Sequence, residues 1–372
     1  MTYLDNAATT FPKPRRVLAD LNFCLKKYCG NSGRSSHALS LKTSEKIYEA
    51  REQIAKLLGC PAPEQIVFTH NATYALNLAI KSFVSEGCHI ITSDFEHNSV
   101  IRPLERLKRD LRIEYSQISS DGDISAALNS ALRPNTKGIV CSIASNVTGD
   151  TLPLQLLSDF AREKSLFLII DASQAAGHME INLEKTPCDA LCAPGHKALF
   201  GIQGSGFICF HDNKRRESFI EGGSGSDSRS TEMPIMLPEG YEAGTLSAPA
   251  IVSLGSGVDF VREIGLDEIK RKLDMLTDEL KDRLECISGV TIYKSGTGIL
   301  SFNYKNIPSS VVATELDSFG ICTRGGLHCA PSIHKKLGTL DRGAVRISFS
   351  YLNKTCDADR LYRAMKEIEK KI

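Results

Sequence analysis

The feature that most limits the fold is a regular alternation of short β-like apolar runs with longer amphipathic ones. The β-like runs occupy 65–69, 89–92, 113–118, 138–143, 166–170, 190–193 and 206–210, seven in all. Helix-length segments at 73–85, 100–111, 124–132 and 154–164 separate most of them. A strand, a helix and a second strand in succession leave room for a crossover. This order therefore specifies an α/β fold with a seven-stranded, mostly parallel sheet covered on both faces. The runs 190–193 and 206–210 are too close for a helical crossover and should pair antiparallel. Upstream, Ile47, Ala50, Ile54 and Leu57 form a helical stripe leading into the first strand.

The alternation stops at a Gly/Ser-rich stretch, 221–230, followed by Pro234 and Pro238. Beyond it a long amphipathic helix is expected over about 251–284, then short strands and a final helix over 357–371. This reads as two domains: a large one over 15–250, and a smaller α+β one built from 1–14 and 251–372.

Composition excludes several classes of function. Lys+Arg total 45 against 44 Asp+Glu, so the chain lacks the basic excess of nucleic-acid or anionic-membrane binders. No uncharged apolar run approaches the ~18 residues needed to cross a bilayer, and the N-terminus MTYLDNAATTFPKPRR has no signal-peptide pattern. A soluble cytoplasmic protein is expected. Twelve cysteines spread over such a chain are expected to be reduced, and mostly buried as small hydrophobes. No CxxC pair occurs, and Cys188 and Cys192 lack a second pair at ligand spacing, so no metal site is expected.

Ligands of parallel α/β sheets collect at the carboxyl ends of the strands. Three features fall there. Asp171 closes SLFLIID and is followed by Gln174 and His178; Lys197 closes CAPGHK ahead of GIQGSG; and THNAT, 69–73, supplies hydroxyls and free N–H groups at a helix head. Singly, each has an ordinary structural explanation: an Asp that caps a helix, a solvated lysine, a Thr-rich cap. Jointly they are the parts of a pyridoxal phosphate site: a lysine to hold the cofactor, an acid for the pyridine nitrogen and a helix N-terminus for the phosphate. A nicotinamide-binding Rossmann enzyme would need GxGxxG after the first strand, where this chain has THNAT.

From YLDNAA (3–8) to RISFSYLN (346–353), these segments and their order resemble the class V aminotransferase-like enzymes of pyridoxal phosphate fold type I, and among them the cysteine desulfurases. The resemblance implies that Lys197 carries pyridoxal 5'-phosphate and moves the substrate's Cα proton. It also implies that Asp171 keeps the pyridine nitrogen protonated, that Gln174 bonds the phenolic oxygen and that His97 of DFEHNS stacks on the ring. Asn146 would touch cofactor and substrate, Ala72, Thr73 and His196 would hold the phosphate, and Arg346 would grip the substrate α-carboxylate, a job suited to guanidinium. Thr245 of EAGT resembles a threonine that reaches the neighbouring subunit's phosphate, so a homodimer is implied. In one departure, Pro194 stands where many relatives have Ser or Thr, which removes a phosphate contact. His178 and His328 are open between packing and catalysis.

The stretch TRGGLHCAP, 323–331, resembles the desulfurase loop whose cysteine follows an arginine by five positions, here Arg324 and Cys329. Its compact spacing matches the short-loop group, whose cysteine passes sulfur to a dedicated acceptor protein. The implied reaction converts L-cysteine to L-alanine and leaves a persulfide on Cys329. Attack on the substrate sulfur requires the Cys329 thiolate, which Arg324, or His97 as a proton acceptor, would favour. A selenocysteine lyase on the same framework, or a class V aminotransferase with no use for Cys329, remains an alternative.

Overall fold

A computed structural model describes residues 1–33, 36–212, 220–225 and 229–371. Its centre is a seven-stranded sheet built from β1 (Ile66–Thr69), β2 (His89–Ser93), β3 (Glu114–Ile118), β4 (Thr136–Ser142), β5 (Phe167–Asp171), β6 (Ala190–Pro194) and β7 (Gly206–Phe210). The spatial order is β1-β7-β6-β5-β4-β2-β3. All pairings are parallel except those of β7, which runs antiparallel to both β1 and β6. The expected strands and the antiparallel last pair are all present.

Side-chain alternation along the strands divides the interior in two. Ile90, Val140, Ile169 and Ile208 face the helices Ala72–Phe83 and Asn98–Asp110. Ile91, Ile139, Leu168, Ile170 and Leu191 face Ala38–Leu58, Leu154–Glu163 and Ala248–Ile264. Burial of both faces explains why the strands read as unbroken apolar runs.

A third apolar cluster lies around a four-stranded antiparallel sheet of β8 (Val290–Gly296), β9 (Ile299–Tyr304), β10 (Arg324–Gly326) and β11 (Ala344–Ser348), ordered β10-β11-β9-β8. The N-terminus joins this cluster. Leu4 is fully buried in it, and the two-residue strand Thr2–Tyr3 pairs in parallel with Ile321–Cys322.

The single helix expected over 251–284 is instead two, Ala248–Ile264 and Leu266–Glu285. Gly265 separates them with φ of 88° and ψ of 139°, an extended positive-φ conformation open to glycine that stops a right-handed helix; Asp267 and Glu268 then sit in the first turn of the next one, where acidic groups favour a helix start. Part of the Gly/Ser-rich stretch, 226–228, lies outside the described residues. No helix among those described is long and apolar enough to cross a membrane.

Helix Ala248–Ile264 passes close under the segment that follows Lys197. A Cβ at Gly257 would lie 2.0 Å from the Leu199 carbonyl oxygen, so only glycine lets the two backbones approach. Gly257→Ala is expected to lower stability by about 1–3 kcal/mol, an overpacking cost, read as a reduced urea midpoint at unchanged m-value.

Candidate active site

The carboxyl ends of β4, β5 and β6 open into a cavity of about 210 Å³, closed on its other side by the strands β10 and β11 and the loop that follows β10. Its walls bring together Ala72, Thr73, His97, Asn146, Asp171, Gln174, His196, Lys197, Arg324, Cys329 and Arg346, eleven of the twelve residues singled out from the sequence. The twelfth, Thr245, is exposed and lines a separate cavity with Thr69, His70 and Tyr74. Its segment is tied down by Glu242, buried, ion-paired to Arg51 and accepting the Phe68 N–H.

Each side chain is positioned by its element. Asp171 ends β5 and is held by the Ser173 N–H on Oδ1 at 2.8 Å. Gln174, on the turn just beyond, donates from Nε2 to the Ala7 carbonyl at 3.0 Å, which joins the N-terminal segment to the cavity. His97 caps the helix Asn98–Asp110: its Nδ1 accepts the Ser99 N–H at 3.0 Å, so in the neutral ring the proton resides on Nε2. Lys197 follows β6 in a loop pinned by Thr10 Oγ1, 2.6 Å from the Lys197 carbonyl. Pro194, the last residue of β6, lines the cavity and offers it no donor.

Burial sets the charge state of the bases. It lowers the Lys197 amine to about 8; Asp171 opposes this, while Arg346 and Arg324 add to it. It also lowers His97 and His196 to about 4 each. At neutral pH the cavity therefore holds neutral imidazoles and a lysine able to shed its proton.

Several donors have nothing to bind. At the head of helix Ala72–Phe83, Asn71 accepts from the N–H groups of Tyr74 and Ala75, which leaves those of Ala72 and Thr73 unmet by the helix. His196 Nδ1 is buried without a partner, and Lys197 Nζ makes no hydrogen bond or ion pair among the described residues. A helix head with two free N–H groups beside an orphaned imidazole suits a phosphate. No group of three or more His, Cys, Asp or Glu residues placed to hold a metal occurs among the described residues.

On the far wall, Arg346 is 1% exposed, ion-paired to Asp5 at 2.7 Å and bonded to the Asn146 carbonyl at 3.0 Å, with its Nε free. Asn146 Nδ2 in turn donates to the His328 carbonyl at 2.7 Å. His328 and Cys329 both adopt positive φ, 51° and 57°, and the Cys329 carbonyl accepts the Asn98 N–H at 2.7 Å. Cys329 is exposed, whereas seven of the twelve cysteines are buried. It also lines a shallower trough together with Lys81, Arg102 and Arg106.

His328 is buried and bonds the Ala344 carbonyl through Nε2 at 3.0 Å; His178 bonds the Gln174 carbonyl through Nδ1 at 3.1 Å and lies outside the cavity lining. Sequence reasoning missed Asp5, Ser99, Ser142 and Glu96. Asp5 lies in YLDNAA and Glu96 and Ser99 in DFEHNS, but nothing local in those segments shows which partners these side chains meet, and Ser142 lies in no motif.

The family model for aminotransferase class-V matches residues 2–361. Among curated relatives, the probable cysteine desulfurase of Methanothermobacter thermautotrophicus is 30% identical over 98% of this chain and 94% of its own length. That of Pyrococcus abyssi is 30% identical over 100% and 94%. The apo structure of a cysteine desulfurase from Thermococcus onnurineus superposes with a TM-score of 0.92 at 29% identity, covering 100% of this chain and 95% of the other.

The buried histidines make stability depend on pH. His97, His178, His196 and His334 are each held at about 4 against an ordinary 6.5, so the unfolded chain binds more protons in that window and stability falls as pH drops from 6.5 towards 4. Glu96, raised from 4.5 to about 7, and Glu242 and Asp259, also raised by burial, act in the opposite sense, against six histidines once His89 and His328, lowered by burial too, are included. The urea midpoint is expected to fall steadily over this range; a flat profile would contradict the neutral state of these rings.

Proposed function

The chain belongs to the aminotransferase class-V family, and on that premise we propose that it works as a pyridoxal 5'-phosphate-dependent cysteine desulfurase, taking L-cysteine to L-alanine and keeping the sulfur as a persulfide on Cys329. The observation that carries this reading is that Lys197 and Cys329 line one cavity. An amino-transfer reaction needs the lysine but has no use for an exposed thiol.

The residues fit the cofactor. Lys197 would hold it, Asp171 would face its ring nitrogen, Gln174 its phenolic oxygen and His97 its ring face. The free N–H groups of Ala72 and Thr73 and the orphaned His196 Nδ1 would take its phosphate. With Pro194 in place of a hydroxyl residue, the helix head carries more of that grip. When bound, the cofactor supplies an electron-withdrawing ring that stabilises negative charge at the substrate's Cα.

The chain's own groups do the rest. Arg346, with Nε still free, receives the substrate α-carboxylate beside Asn146. Lys197, lowered to about 8, takes the Cα proton at Nζ and returns one to the substrate. Cys329 attacks the substrate sulfur: the carbon–sulfur bond breaks, a sulfur–sulfur bond forms, and Cβ gains the proton that completes alanine. Because the Ser99 N–H occupies His97 Nδ1, His97 serves as a donor from Nε2, and Arg324 lines the same cavity as Cys329.

Two further readings go with this one. Thr245, exposed and away from the cavity, would meet the phosphate of a second copy in a homodimer. The trough of Lys81, Arg102 and Arg106 at Cys329 offers a sulfur-accepting protein a way to the thiol.

After incubation with cysteine, mass spectrometry should find one added sulfur on Cys329. Cys329→Ala should lose the adduct and sulfide release while keeping the cofactor's visible absorbance; native-rate release from that variant would refute the role of the thiol. Lys197→Ala should lower alanine formation by ~10²–10⁴-fold. For Arg346→Ala, losing hydrogen bonds to a charged group worth about 1.5–3 kcal/mol should raise KM by ~10- to 100-fold.

A further inference from the structure

A second carboxyl group lies close to Asp171. Glu96 is wholly buried, immediately before His97 in the chain. Its Oε1 accepts from Ser93 Oγ at 2.6 Å, the Ser93 N–H at 3.3 Å and the Ser142 N–H at 3.0 Å. Its Oε2 accepts from the Ser142 N–H at 3.1 Å and Ser142 Oγ at 3.0 Å. Ser142 ends β4 opposite Asp171, which ends β5, and the same Ser142 Oγ lies 3.5 Å from Asp171 Oδ2.

A serine hydroxyl has one proton and can donate it to one acceptor at a time. With Glu96 ionised, Oε2 is the nearer acceptor and Asp171 goes without. With Glu96 protonated, the hydroxyl is released to turn towards Asp171 Oδ2. We propose that Glu96 is a positioning residue that sets how firmly Asp171 keeps its negative charge, acting through the Ser142 hydroxyl. This rests on the cavity being the pyridoxal phosphate site, because the charge on Asp171 matters for the protonation of the ring nitrogen it would face.

The setting supports a shared charge. Two carboxyl groups bridged by one hydroxyl in a dry interior do not both ionise cheaply. Burial, with the Asp171 charge added, pushes Glu96 up to about 7, against the hydrogen bonds from Ser93 and Ser142 that pull it down. Of the other titratable groups on the surrounding elements, Lys197 is a cation at neutral pH that interacts with Asp171, while the groups that act on Glu96 are Ser93, Ser142 and Asp171. Cys141 on β4 is held neutral by burial, His97 is neutral above about 4, and Asp94 is paired outward with Lys336.

The test is a pH titration of the visible absorbance of the cofactor-loaded protein. The parent protein should show an inflection near pH 7. Glu96→Gln should remove it. Ser142→Ala, which keeps Glu96 and cuts the link, should remove it too, and the double variant should add nothing. Ser142→Ala decides the matter alone if Glu96→Gln does not fold. An intact band with parent and Ser142→Ala profiles superimposed would overturn the role of Glu96. The absence of any band in the loaded parent protein would instead overturn the reading of the cavity, and the inference with it.

Discussion

The ion pair between Arg346 and Asp5 is the constraint on which the rest of the site depends. A guanidinium 1% exposed on β11 is tolerable only with its charge matched, since removing one partner of such a buried pair costs about 3–5 kcal/mol. The partner is drawn from the opposite end of the chain. Asp5 also forms a bridge with Ser348, and Asn6 donates to the Ser348 carbonyl, so the N-terminus is laid along β11. The same guanidinium reaches the Asn146 carbonyl beyond the end of β4, and Asn146 reaches the carbonyl of His328. One cation thus links the N-terminal segment, the large sheet, the small sheet and the cysteine loop.

The cavity that results has an uneven charge pattern. Lys197, His97 and His196 are all shifted towards their neutral forms, chiefly by burial. Arg324 and Arg346 stay cationic because guanidinium does not give up its proton in proteins. Fixed positive charge is therefore concentrated on the wall that bears Arg346 and the cysteine loop, and movable protons on the wall that bears Lys197. On the proposed reading, a zwitterionic amino acid would be bound by the first kind of group and transformed by the second.

Much of this was legible in the sequence. Strands buried on both faces leave unbroken apolar runs, and parallel order puts their ends on one edge, so Asp171 and Lys197 could be placed before any coordinates. The helix over 251–284 misled because its apolar periodicity continues past Gly265, and periodicity carries no record of a positive φ. The supporting residues were invisible for a different reason. Asp5 and Arg346 are 341 positions apart, and Glu96 acts on Ser142 across 46, distances at which no local pattern survives. Thr245 was named from resemblance, and within one chain it stays away from the other site residues.

The loop around Cys329 holds a conflict between backbone and side chain. Two successive residues, neither of them glycine, adopt φ of 51° and 57°, a region that ordinary side chains enter at a cost. Glycine or asparagine would relax either position. An imidazole and a thiol are kept there against local preference. Seven non-glycine residues among those described take a positive φ, and only His328 and Cys329 are adjacent in the chain and line the cavity, so conformation and position together single out this pair with no knowledge of any ligand.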